Sequence, residues 1–246
     1  MGRNGWESGG DHAGPTVAEG PRRAGAPEHA RAILGATIVG SSMAFLDGAV
    51  VGVALPIVQV ELNATLGLTQ WVVEAYQLLL AALILVGGTM GDLYGRRRVF
   101  SLGLAIYVFG AALAGLAPTI GTLIGARLVQ GLGGALLVPG SLAIIMATFF
   151  GAARGRAIGL WASLTSVASG IGPVIGGWLV ETLGWRAAFF FLIPLGLVAL
   201  GLALWRVPET STAGAIRRLD ALGALLQVVG LGGLVYGLIE AGANGF

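Results

Sequence analysis

The chain has 246 residues, of which 56% are hydrophobic and 11% charged, with a formal net charge of +2. Soluble domains carry roughly 25% charged residues, so this composition excludes a water-soluble globular domain and points to lipid as the solvent. Cysteine and lysine are absent and the only histidines are His12 and His29, which excludes disulfides, thiolate chemistry, a phosphate-loop lysine, a Schiff base and a histidine-based metal site.

Residues 1–30 are polar and rich in Gly, Pro, Ala and charge, and read as a disordered tail. Glu7, Asp11, Glu19 and Glu28 precede any apolar run, unlike a signal peptide. Seven apolar runs follow, at about 32–58, 70–91, 98–117, 120–149, 156–180, 186–205 and 220–240. A membrane span needs about 20 such residues. The expected fold is therefore an all-helical membrane bundle. Residues 31–206 form a six-helix unit, and 207–246 a cytoplasmic linker with a seventh span. The connections are short, so successive helices run antiparallel.

Arginines alternate between loops. Arg22, Arg23 and Arg31 precede the first run. Arg96, Arg97 and Arg98 follow the second, Arg154 and Arg156 the fourth, and Arg206, Arg217 and Arg218 the sixth. The opposite loops hold only Arg186. By the positive-inside rule the N-terminus is cytoplasmic. So dispersed a basic set orients a membrane protein and is no nucleic-acid surface. Two trios of helices then have opposite topology, which permits an inverted repeat. Most of the 43 glycines fall inside the apolar runs, where they let helices approach closely.

Three charges lie well inside the runs: Asp47, Glu74 and Arg127. Each costs roughly 2.5–3.5 kcal/mol at the centre of a membrane helix. Counted along their helices, all three fall in the outer half, so they are expected to share one polar cavity. Two readings stand: a structural Asp–Arg pair, or a protonation site coupled to a substrate. Glu61 and Glu181 fall at outer loops and read as solvated. Trp71, Trp178 and Trp185 fall at outer helix ends, as an interfacial aromatic belt would.

Between the second and third runs stands Gly88-Thr-Met-Gly91-Asp92-Leu-Tyr-Gly95-Arg96-Arg97-Arg98. Glycines allow a tight turn there, and Asp92 can pair with a neighbouring arginine or a helix N-terminus. In the fifth run, Pro173 donates no backbone hydrogen bond and is expected to bend the helix. Gly155, Gly159, Ser163, Gly172 and Gly176 give small-residue spacing for close packing. A bend that seals the outer side is the functional alternative to packing alone.

These segments carry a resemblance. The Gly88–Arg98 loop resembles the G-x-L-A-D-R-x-G-R-R signature of the major facilitator superfamily, with Leu93 in place of its first Arg. Leu46-Asp47 through Ala54-Leu55-Pro56 is similar to the first-helix motif of fourteen-helix drug:proton antiporters. Arg127-Leu-Val-Gln130-Gly131 resembles their fourth-helix motif, and Gly172-Pro173-Val-Ile-Gly176-Gly177 their fifth-helix antiporter motif. The resemblance runs from about residue 31 to the end. It implies a non-enzymatic, cofactor-free exporter of small amphipathic compounds in the cell membrane, driven by protons. Asp47, Glu74, Arg127 and Gln130 would couple proton and substrate. Arg127 would favour the charged carboxylate when close and release it when helices part. Gly88, Asp92, Gly95, Arg96 and Arg97 would gate the cytoplasmic side. Such exporters have two halves, so the expected partners are lipid, protons, a small-molecule substrate, and a missing C-terminal half or second chain. The alternative is a truncated or split fragment that does not transport alone.

Overall fold

In a computed structural model, described for residues 29–211 and 221–244, the chain is helical almost throughout. The expectations for the tail and for Arg22, Arg23, Arg217 and Arg218 lie outside the described residues. Eight helical segments occur among those described: α1 (Ala30–Glu61), α2 (Leu66–Tyr94), α3 (Arg96–Gly115), α4 (Ile120–Thr148), α5 (Gly151–Leu183), α6 (Arg186–Phe190), α7 (Leu192–Arg206) and α8 (Ala221–Asn244). The first five, and α6 with α7 taken together, are long and apolar enough to cross a membrane. α8 is a seventh apolar helix of 24 residues.

The helices outrun the apolar runs. α1 adds residues at both ends of 32–58, and α5 extends 156–180 to 33 residues. Backbone hydrogen bonding continues where hydropathy stops marking the hydrocarbon. Local chemistry sets the ends. The Thr65 hydroxyl accepts from Leu68 N–H at 3.3 Å and starts α2. Thr119 and Thr122 form a reciprocal capping box at the start of α4. Gly95, at φ 106°, lets the chain turn from α2 directly into α3.

Prolines mark where carbonyls are set free. Pro194 cannot donate to Phe190, and the sixth span divides at Phe191, which itself keeps helical dihedrals. α5 runs unbroken as helix through Pro173. Pro139 in α4 leaves the Ala135 carbonyl without its helical donor, and that oxygen lies where a side chain on Gly87 of α2 would stand. The glycine thus makes room for an oxygen that the proline has released.

α4 packs most extensively on α2 and α3, and α1 on α5 and α7, with α3 against α7. Exchanging the first three spans for the next three maps α2–α4 onto α5–α1 and α3–α4 onto the sixth span with α1, and leaves α3–α7 unchanged. The packing has the exchange symmetry of an inverted repeat. α3 and α4 also approach backbone to backbone: a Cβ on Gly133 would lie 2.5 Å from Tyr107 N, and one on Gly103 2.8 Å from Leu137 N. In α5, Gly172 and Gly176 lie against Ala49 and Val50 of α1, whereas Gly155, Gly159 and Gly177 have open space beside them. The small-residue stripe of α5 is therefore an interface over its second half only.

Candidate functional site

The buried stripe of α1 includes Met43, Ala44, Asp47, Val50 and Ala54, and that of α4 includes Leu123, Ala126, Arg127, Gln130 and Gly134. Helical spacing puts each set on one face, and the two faces meet. Arg127 Nη1 donates to Asp47 Oδ2 at 2.6 Å, and both side chains are fully buried. The same Nη1 donates to Gln130 Oε1 at 3.0 Å, and Arg127 Nε donates to the Val72 carbonyl of α2 at 2.9 Å. Gln130 Nε2 makes a long contact of 3.5 Å to Asp47 Oδ1. The guanidinium lies 4.5 Å from the Tyr76 ring centroid and 6.0 Å from that of Phe189. Tyr76 in turn donates to the Ala44 carbonyl at 3.3 Å and meets Tyr107 edge-on.

The expected polar cavity is instead a sealed cluster. It unites Asp47, Arg127 and Gln130 but not Glu74. The cause is rotational: Val72 and Tyr76, one turn apart, face Arg127, and Glu74 lies between them on the far side of α2. Glu74 shares the face of Trp71 and Leu78, which α8 covers, with Trp71 6.5 Å from Tyr236 and Leu78 beside Gly232. Glu74 is half-buried and has no hydrogen bond or ion pair among the described residues. One atom of the cluster itself lacks a partner: Arg127 Nη2 is buried without a hydrogen bond.

The expected loop is helical but for one residue: residues 88–94 close α2, residues 96–98 open α3, and the turn at Gly95 is tied from two sides. Asp92 accepts from Arg96 Nη2 at 2.8 Å and Nε at 3.2 Å. Arg97 N–H donates to Glu209 Oε1 at 3.2 Å, Arg97 Nη1 to the Val207 carbonyl at 3.4 Å, and Arg96 N–H to the Thr210 carbonyl at 2.9 Å. Glu209 also lies 3.7 Å from Arg97 Nε and 3.6 Å from Arg98 Nε. Gly88 makes only ordinary contact with Pro139. Glu209 lies outside the motif, and nothing in its sequence context marks this contact.

One further expectation changes, that for Trp185, whereas Glu61 stays exposed as expected. Trp185 is 1% exposed and donates Nε1–H to Glu61 at 2.8 Å, so it plugs the bundle end and Glu61 is its acceptor. Trp178, by contrast, is exposed. A hydroxyl chain was also unforeseen: Trp161 Nε1–H donates to Ser41 Oγ at 3.1 Å, Ser41 to Ser141 Oγ at 2.7 Å, and Ser141 to the Val138 carbonyl at 2.8 Å. Among the described residues no group of three or more His, Asp or Glu is placed to hold a metal ion.

The sequence model of the Major Facilitator Superfamily matches residues 37–239. The multidrug resistance protein Stp of Mycobacterium tuberculosis is 42% identical over 83% of this chain and 38% of its own length. The tetracenomycin C resistance and export protein of Streptomyces glaucescens is 36% identical over 86% of this chain and 39% of its own. The chain thus spans about two fifths of the length of these relatives. In fold, a crystal structure of a peptide transporter in complex with sulfate matches 86% of this chain and 45% of that one, with a TM-score of 0.66 at 13% identity.

Proposed function

The chain belongs to the major facilitator superfamily, and on that premise we propose that it serves proton-coupled export of small amphipathic compounds across the cell membrane. The observation that carries this reading is the fully buried Asp47–Arg127 pair, at 2.6 Å, inside the bundle. Burying two charges costs more than their attraction reliably returns, and ionisable groups retained at membrane depth generally mark ion pathways. The names of the relatives, a multidrug resistance protein and a tetracenomycin C resistance and export protein, support this substrate class.

The partners of Arg127 suggest how coupling works. A proton on Asp47 removes the carboxylate's charge and weakens its tie to Arg127. The guanidinium keeps Gln130 on α4, Val72 on α2 and the face of Tyr76. Arg127 therefore stays anchored while α1 is released from α4. Loss of the proton restores the pair. α1 carries Ala49 and Val50 against Gly172 and Gly176, so its release is passed to α5, the helix of the Pro173 motif. Gly95, Asp92, Arg96 and Arg97 hold the turn at the cytoplasmic end of α2, where they serve as the gate. Glu74, set apart under α8, is assigned no part in this step.

A second reading is favoured by the chain's span of about two fifths of its relatives. In it, this bundle forms one wall of the pathway and is silent until a second bundle supplies the other. Proteoliposomes with an imposed pH gradient test both. Gradient-dependent movement of an exporter dye by this chain combined with the second half of a relative, lost in Asp47→Asn, is the expected result. Equal movement by the chain alone would remove the second reading. Movement indifferent to the gradient and to Asp47→Asn would remove the first.

A further inference from the structure

Between α1 and α5 lies a concavity of about 410 Å³, lined by Phe45, Trp161, Ala162, Thr165, Ser166 and Ser169. Small-molecule sites span about 300–1,000 Å³. Trp161 and Ser169 lie about 15 and 27 Å along a helix about 50 Å long, so the concavity is at the depth of the bilayer centre.

Its chemistry is specific. Phe45 is 42% exposed. Trp161 is fixed in orientation because its N–H is committed to Ser41, which is itself held by Ser141. The Thr165 hydroxyl donates to the Trp161 and Ala162 carbonyls at 2.8 and 3.0 Å, leaving its lone pairs as acceptors. Ser166 and Ser169 are exposed and have no hydrogen bond among the described residues. Pro173 removes the helical donor of the Ser169 carbonyl, which adds a further acceptor.

We propose that this concavity binds a planar, uncharged aromatic molecule bearing hydroxyl or carbonyl groups. The proposal rests on the export function above and names its substrate class. Each alternative fails on a stated cost. An acyl chain would leave the serine hydroxyls and the freed carbonyl unpaired at membrane depth. A cation would meet no counter-charge, since no charged residue lines the space and Asp47 is sealed elsewhere. An aromatic plane can lie on Trp161 and Phe45 while its polar edge meets Ser166 and Ser169.

Equilibrium dialysis of 1,8-dihydroxyanthraquinone against the chain in nanodiscs, with protein-free nanodiscs as reference, tests this without any gradient or flux. Transport can therefore fail with binding intact, and the reverse. Saturable binding is expected, weakened about tenfold by Trp161→Ala or Phe45→Ala. The pair Ser166→Ala and Ser169→Ala should weaken this probe but not anthracene, which has no polar edge. Ethidium should bind less tightly than the neutral probe. Gly201→Ala, in open space on α7, should bind as wild type and controls for folding. Three results would overturn the proposal. One is no saturable binding by the wild-type chain. Another is binding indifferent to all four lining residues. The last is lining variants that lose association with a second bundle yet keep the probe, which would mean that protein fills the space.

Discussion

The carboxylate of Glu209 occupies the place of the missing side chain of Gly95: a Cβ there would lie 2.5 Å from Glu209 Oε1. The same oxygen accepts from Arg97 N–H at 3.2 Å, in the first turn of α3. The segment leaving the sixth span is thus clamped onto the turn between the second and third.

Glu209→Ala should open that clamp. The ion pairs to Arg97 and Arg98 are partly solvated and contribute modestly. Trypsin cleavage after Arg97 or Arg98 is expected to quicken about twofold to fivefold, from a loss of about 0.5–1 kcal/mol. Gly95→Ala should have a larger effect, because it adds left-handed strain to the collision. Equal rates in all three proteins would show that the clamp contributes nothing.

For the buried pair, removing one partner should be worse than removing both. Arg127→Ala leaves Asp47 uncompensated and is expected to cost about 3–5 kcal/mol. The Asp47→Ala, Arg127→Ala double variant should be more stable than the sum of the single losses. Thermal unfolding of the purified chain in detergent measures all four corners of the cycle. Strict additivity would mean that the two side chains do not interact.

Packing between α3 and α4 leaves no room for a methyl group. Gly133→Ala should cost about 1–3 kcal/mol. Gly201→Ala, with nothing within 4 Å, should stay within about 0.5 kcal/mol of wild type. The same thermal assay decides; a neutral Gly133→Ala would place α3 and α4 further apart than described.

Orientation is open to labelling, because the chain contains no cysteine. Thr119 and Tyr94 are both exposed, at opposite ends of the bundle. An impermeant thiol reagent applied outside cells is expected to reach Thr119→Cys and to miss Tyr94→Cys. The inverse pattern would turn the molecule over.

How much of this the sequence disclosed depended on whether the relevant physics is periodic. Spans are legible because hydrocarbon thickness imposes a run length. Asp47 and Arg127 are legible because a charge inside an apolar run stands out. Glu74 stood out equally, yet its partnership could not be inferred: depth is written in residue count, whereas facing depends on helix phase and on which neighbour covers each side. Trp185 shows the same limit, since a tryptophan at a helix end reads alike whether it meets headgroups or Glu61. Ser41, Ser141 and Trp161 gave no signal, because small hydroxyls are common in membrane helices. Glu209 was silent because its partner lies 112 positions earlier.

The 80-residue separation of Asp47 and Arg127 also has a consequence for biosynthesis. At about 5–20 residues per second, a ribosome takes about 4–16 s to pass from one codon to the other. A chain inserted as it is made therefore delivers an unpaired aspartate to the bilayer first. The nascent hairpin of α1 and α2 must hold that residue, at an insertion cost of about 2.5–3.5 kcal/mol, against the strong hydropathy of the rest of α1. α4 then arrives at a site that already holds the acceptor for its arginine. The order of synthesis places the acceptor in the membrane before the helix that carries its donor.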